Sequence, residues 1–221
     1  MTKIDCRGLL FDLDGVLVDS TPAVARVWTV WAQKHGFDPE QTVHKAHGRP
    51  SLATIRELLP DADHVAENAI VERMEIEDVS DVIPLPGTLE LLASLPAERW
   101  TVVTSCTRTL ALVRLRVAGL PLPDKMVTST DIVNGKPHPE PYLRGAVLLG
   151  FAPQDCVVFE DAPAGIVSGK AAQSRVVAFQ TTERDALLRQ AGADWIVKDA
   201  SAVRVAGENA VRNLSLMLQV S

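Results

Sequence analysis

Phe11-Asp12-Leu13-Asp14-Gly15-Val16-Leu17-Val18-Asp19-Ser20 closes the apolar run Gly8 to Leu13 with two carboxylates spaced i, i+2, followed by a glycine. The run does not alternate, which is the pattern of a parallel strand covered on both faces. On a regular strand, residues two apart share a face, so Asp12 and Asp14 look the same way. At the carboxyl end of a strand in an open parallel sheet, they border the usual ligand crevice. Two neighbouring carboxylates suit a hard divalent cation such as Mg2+. Asp-Gly after a strand is also an ordinary solvated turn, so the rest of the chain has to decide.

Further apolar runs follow at Trp100 to Thr104, Asp124 to Thr128, Cys156 to Glu160, Arg175 to Phe179 and Trp195 to Val197. Helical patterns lie between them at Leu89 to Leu95, Thr109 to Ala118, Glu140 to Leu149, Pro163 to Ala172 and Arg184 to Ala191. Gly119, Gly150 and Gly192 follow three of these as stop signals. Strands alternating with helices predict an α/β protein with a Rossmann-like, doubly wound parallel sheet. The stretch Pro22 to Val82 breaks the rhythm. Val24, Val27, Trp28 and Trp31 fall at i, i+3, i+4, i+7, a helical stripe, and Leu52 to Leu59 and Asp63 to Asp78 continue the helical pattern. Pro84-Leu85-Pro86-Gly87 returns the chain to strands. The expected organisation is a core of residues 1–18 and 85–221 with an inserted helical unit, residues 19–84. Residues 202–221 carry no chemistry legible in the sequence.

The composition narrows the partners. With 221 residues and a net charge of -6, the chain is poorly suited to nucleic acid or an acidic membrane surface, which are bound by basic patches. A small phosphorylated metabolite needs only a local cluster of positive charge. Cys6, Cys106 and Cys156 form no CxxC pair and read as reduced cysteines near strands. Met1 to Asp5 lacks the apolar run of a signal peptide, and no stretch approaches the ~18 apolar residues of a membrane span. The expectation is a cytoplasmic, monomeric enzyme.

Three more segments carry chemistry. Val102-Val103-Thr104-Ser105 ends a strand in two hydroxyls, which with free backbone N–H groups can cradle a phosphate or cap a helix. Asn134-Gly135-Lys136-Pro137-His138-Pro139 holds a lysine among prolines that fix the backbone. A lone loop lysine is usually a solvated charge; here it offers a positioned ammonium. Val157-Val158-Phe159-Glu160-Asp161 is a second strand ending in acids, able to complete a metal site with the first. Any one of these occurs by chance, but their combination in this order is specific.

The chain therefore resembles the haloacid dehalogenase superfamily of phosphohydrolases, whose four motifs appear in order as DxDG, a strand ending in Thr/Ser, a Lys-Pro loop and an acidic pair. It looks most like the subgroup of beta-phosphoglucomutases and sugar phosphatases, on Glu-Asp-Ala-Pro-Ala-Gly-Ile and on His47, Gly48 and Arg49. The resemblance implies Asp12 as nucleophile and Asp14 as general acid, then base. It implies Mg2+ held by Asp12, the Asp14 carbonyl and Asp161, with Glu160 nearby. Ser105 (or Thr104) and Lys136 would contact the phosphoryl group, and His47, Gly48 and Arg49 the substrate from a helical cap. Mutase relatives carry a histidine four residues after the hinge Ser/Thr; here that position is Val24, which favours hydrolysis of small phosphates over mutase chemistry. A non-enzymatic receiver-like phosphoacceptor lacks room for the cap and has a different order of motifs. A dehalogenase would not need the second carboxylate and the metal-binding acids.

Overall fold

The computed structural model describes residues 1–46, 49–209 and 213–220. Along the chain, β1 (Thr2–Cys6), β2 (Gly8–Phe11) and the short β3 (Val18–Asp19) lead into four helices, α1 (Thr21–His35), α2 (Pro39–Ala46), α3 (Ser51–Leu58) and α4 (His64–Glu77). A second short strand, β4 (Ile83–Pro84), brings the chain back to α5 (Thr88–Ala93), β5 (Trp100–Val103), α6 (Arg108–Val117), β6 (Met126–Val127) and α7 (Glu140–Leu149). Then come β7 (Cys156–Glu160), α8 (Pro163–Ala171), β8 (Arg175–Phe179), α9 (Asp185–Gln190), β9 (Trp195–Val197), β10 (Val203–Glu208) and β11 (Leu214–Leu218).

The six apolar runs pair as one parallel sheet in the order β6-β5-β2-β7-β8-β9. Both faces are covered, as their unbroken hydrophobicity requires. Phe11 and Phe159 belong to one buried cluster with Leu91, Leu92, Ala111 and Leu115 of α5 and α6. Leu10 and Val158 face the other way, onto Tyr142, Ala146, Ile166 and Leu188 of α7, α8 and α9. Phe11 and Phe159 stack at 4.7 Å between ring centroids. Burying one such side chain contributes roughly 1.5–3 kcal/mol. The strand expected over 124–128 is shorter, Met126–Val127. It sits at the sheet edge, where only β5 pairs with it.

Helices α1 to α4 bury their own core, with Val27, Trp28, Trp31, Ala46, Ile55 and Val71 at its centre. The stripe predicted on the first helix is the one that packs inward. The strands on either side of these helices pair with each other, Val18 with Pro84 and Asp19 with Ile83, so the chain leaves and returns through one antiparallel joint. Arg26 of α1 reaches back to that joint, its Nε and Nη2 bonding Asp78 at 2.8 and 2.7 Å. The two ends of the chain also meet: β1 and β10 flank β11 in a second, antiparallel sheet, with Ile4 opposite Leu216. This sheet went unread in the sequence.

Candidate active site

Parallel register sets the geometry. Phe11 pairs with Val102 on one side and Phe159 on the other, so β2, β5 and β7 end level. The next residues along each strand, Asp12, Thr104 and Glu160-Asp161, therefore crowd one end of the sheet. Asp12 N donates to the Phe159 carbonyl at 3.0 Å, extending the pairing by one residue. Asp12, Glu160 and Asp161 are all buried, and each offers a carboxylate oxygen within 4.8 Å of the others. Gly15 makes the approach possible. Its φ is +77°, and a Cβ there would stand 2.1 Å from Asp161 Oδ2, so glycine is required by both conformation and space.

Lys136 bonds two of these acids. Lys136 Nζ lies 2.9 Å from Asp12 Oδ1 and 2.6 Å from Glu160 Oε1, with its side chain 3% exposed. Burial opposes the ammonium, but Asp12 and Glu160 carry its pKa above the ordinary lysine range. Burial drives the Asp12 carboxyl up; Lys136 opposes this, and Glu160 and Asp161 reinforce it. Glu160 is fully engaged: Oε1 also accepts from the Tyr142 hydroxyl at 2.6 Å, and Oε2 accepts from the amides of Asp161 and Ala162. The loop bearing Lys136 is pinned from below, where Glu140 accepts from the amides of Val133 and Asn134 at 3.0 and 2.9 Å. Those two amides hold the Glu140 carboxyl down to about 2.

Asp14 lines the same cavity with a different set of partners. Its Oδ1 accepts from Ser20 Oγ at 2.6 Å, and its Oδ2 from Cys106 Sγ at 3.0 Å and Arg114 Nη1 at 2.8 Å. Thr104 Oγ1 accepts from the Cys106 amide at 3.1 Å, which makes it a turn-forming hydroxyl. Ser105 is half-buried and, like Thr104, lines the cavity above the strand ends.

That cavity holds about 550 Å³. Asp12, Asp14, Ser105 and Asp161 line its core side; Val24, Trp28, Arg49, Arg56, Asn68, Glu72 and Glu75 line the helical side. Arg49 is among these walls, with Nη1 3.0 Å from Glu57 Oε2. His47 and Gly48 lie outside the described residues. The helical unit touches the sheet domain where Thr107, the N-cap of α6, donates to Glu72 at 2.5 Å. Burial raises the Glu75 carboxyl to about 7, against the pull of Arg114. The donor set fits a hard divalent cation: Asp12 and Asp161 line the cavity, and the three buried acids lie close together with the Lys136 ammonium bonded to two of them.

The structure brings Asp12, Glu160, Asp161 and Lys136 together and sets near the site four residues to which the sequence reading gave no role. Tyr142, Arg114, Cys106 and Glu75 sit in helices or turns whose patterns read as plain amphipathic structure. Only the odd charge on the buried side of α6, Arg114 between Ala111 and Leu115, was a visible signal.

Comparison with known proteins gives the family. The description "Haloacid dehalogenase-like hydrolase" matches residues 9–179. The chain belongs to the haloacid dehalogenase-like hydrolases. This hydrolase is 45% identical to hexitol phosphatase A of Escherichia coli (strain K12) over 178 residues, covering 78% of this chain and 82% of that protein. It is 37% identical to glycerol-1-phosphate phosphohydrolase 2 of Saccharomyces cerevisiae, with 94% and 88% covered. A solved structure described as a putative beta-phosphoglucomutase from Bacteroides vulgatus is 31% identical, with a TM-score of 0.74 over 89% of this chain and 85% of that one. Among the described residues, no helix of the hydrolase is long and apolar enough to cross a membrane.

Proposed function

We propose that this enzyme, a phosphoric monoester hydrolase, is a magnesium-dependent phosphatase of small sugar or polyol phosphates that works through an aspartyl-phosphate on Asp12. The observation that carries the reading is the Asp12 carboxylate 2.9 Å from the Lys136 ammonium at the floor of a cavity roofed by helices. Relatives that are named phosphatases of hexitol phosphates and glycerol phosphate support the substrate class.

Asp12 attacks phosphorus, and the ester oxygen leaves with a proton from Asp14. Water then attacks the acyl phosphate while Asp14 takes its proton, regenerating Asp12 and releasing inorganic phosphate. The covalent intermediate divides one difficult hydrolysis into two steps. Lys136 and the Ser105 hydroxyl stabilise charge on the transferring oxygens, which is the main demand of phosphoryl transfer. Thr104 supports the turn that presents Ser105. Asp12, Asp161 and the Asp14 carbonyl would hold Mg2+, which offsets the repulsion between carboxylate and phosphate ester. Glu160 serves this site chiefly as the anchor of Lys136. Residues 19–84 act as a cap over the core formed by 1–18 and 85–221, excluding bulk water and selecting small leaving groups. Arg49, and with it the neighbouring His47 and Gly48, would face the substrate from that cap.

Val24 lines the cavity where a mutase of this family would carry a histidine, and its apolar side chain offers no acid-base group to return the phosphate to a sugar. Supplied with beta-glucose 1-phosphate and Mg2+, the enzyme should release free phosphate rather than glucose 6-phosphate. A panel of phosphorylated metabolites with a free-phosphate readout tests the reading as a whole. Asp12→Asn should abolish turnover of every member, and turnover near the wild-type rate by that variant would refute the assignment.

A further inference from the structure

Arg114 occupies the point where the helical cap meets the Asp14 carboxylate. It belongs to α6, and its side chain is 4% exposed. Nη1 donates to Asp14 Oδ2 at 2.8 Å, and Nη2 stands 3.7 Å from Oε1 of Glu75, a residue of cap helix α4. Nη1 also donates to Cys106 Sγ at 3.0 Å, and that thiol donates to the same Asp14 oxygen. The Arg114 Nε is buried without a hydrogen-bond partner among the described residues. Burying a guanidinium is costly, and an apolar residue of similar volume would fill the space more cheaply. Of the described side chains Ser20, Cys106 and Arg114 that donate to Asp14, Arg114 brings a full charge and a planar fork of donors.

We propose that Arg114 is a positioning residue that orients the Asp14 carboxylate and, through Glu75, ties that orientation to the seating of the cap. The inference rests on the phosphatase reading, in which Asp14 carries the proton to and from the reacting oxygens. Displacing such a group by about 1 Å costs on the order of 10²-fold in rate. The loss should depend on the leaving group. A glycerol alkoxide leaves only with a proton, whereas 4-nitrophenolate leaves without one.

The test compares first-turnover release of glycerol from glycerol 1-phosphate with that of 4-nitrophenolate from 4-nitrophenyl phosphate, in the presence of Mg2+. Arg114→Met should slow glycerol release about 10²-fold with KM little changed, while 4-nitrophenolate release stays close to wild type, the pattern also expected of Asp14→Asn. Equal losses on both esters, or none on either, would overturn the proposal. If the methionine variant does not fold, Arg114→Lys, which keeps the charge but not the fork, is judged by the same ratio. Glu75→Gln should shift the ratio in the same direction by less, and no shift would remove the link to the cap. Selective loss in Asp14→Asn without it in the Arg114 variants would leave the phosphatase reading intact and sink only this inference. A wild-type enzyme that releases neither product would end both.

Discussion

Glu160 shows how much a single residue here depends on its neighbours. Its carboxylate takes Lys136, Tyr142 and two backbone amides, and Gly165 leaves it room: a Cβ there would lie 1.7 Å from Oε1. Removing one donor leaves a buried carboxylate short of a partner, which costs about 1–3 kcal/mol. Tyr142→Phe should therefore lower stability by about that amount in urea titrations. It should also lower kcat more than it raises KM, because Lys136 loses its fixed counter-charge. Gly165→Ala should do more damage to activity than to stability, since the methyl displaces Glu160 and with it the ammonium. Equal kinetics for wild type and both variants would contradict this account. At this scale the sequence spoke clearly where chemistry ends a strand. Asp12, Glu160 and Asp161 stood out only in combination, because a carboxylate after an apolar run is by itself also an ordinary turn. Tyr142 did not, because a tyrosine on the inner face of an amphipathic helix looks the same whether its hydroxyl binds a carboxylate or solvent.

Among the elements, α4 couples fold to pH. Glu75 points from it toward the core, and burial raises its carboxyl from the ordinary 4.5 to about 7. Between those values the folded chain binds the proton more tightly than the unfolded chain. The contribution is therefore complete below about 4.5 and is lost as pH rises through about 7. The amount at stake is on the order of 3 kcal/mol. Glu75→Gln should remove this component: its unfolding free energy should fall less than that of wild type between pH 5 and pH 8, roughly the window of that titration. Parallel pH dependences in urea melts of the two proteins would count against it. The helix itself was legible in sequence, since Asp63 to Asp78 has the right length and Asp63 caps it by accepting from the Val65 and Ala66 amides. Its contacts with α6 were not, because nothing local in the sequence says that Glu72 and Glu75 meet Thr107 and Arg114. The helix α2 went unread for a simpler reason: it is only Pro39–Ala46, with a largely polar face.

At the scale of the whole molecule, the alternation of strands and helices made the parallel sheet readable, and the break in that rhythm from Pro22 to Val82 pointed to helices there, where α1 to α4 lie. The closing antiparallel sheet was not read, although its alternation was present: Leu214, Leu216 and Leu218 are buried on the face that meets Ile4 and Cys6. The pairing spans nearly the full chain, and a local pattern does not state which distant strand will complete it. The same long-range assembly concentrates charge. Folding brings Asp12, Glu160 and Asp161, from strands far apart in sequence, into one buried cluster with Lys136 as the cation bonded to two of them. Unfolding disperses that cluster, so a cation that binds the cluster binds only the folded state and stabilises it by mass action. At one hundred times its dissociation constant the gain is about 2.7 kcal/mol. For a chain of this size that corresponds to a rise in Tm of roughly 5–10 °C. Thermal melts of EDTA-treated protein with added Mg2+ should show this rise, and Asp161→Asn should lose most of it while melting no lower than wild type without metal, because the substitution relieves repulsion. An unchanged Tm in wild type, or an undiminished shift in the variant, would mean that the three acids gather there for some purpose other than holding a metal.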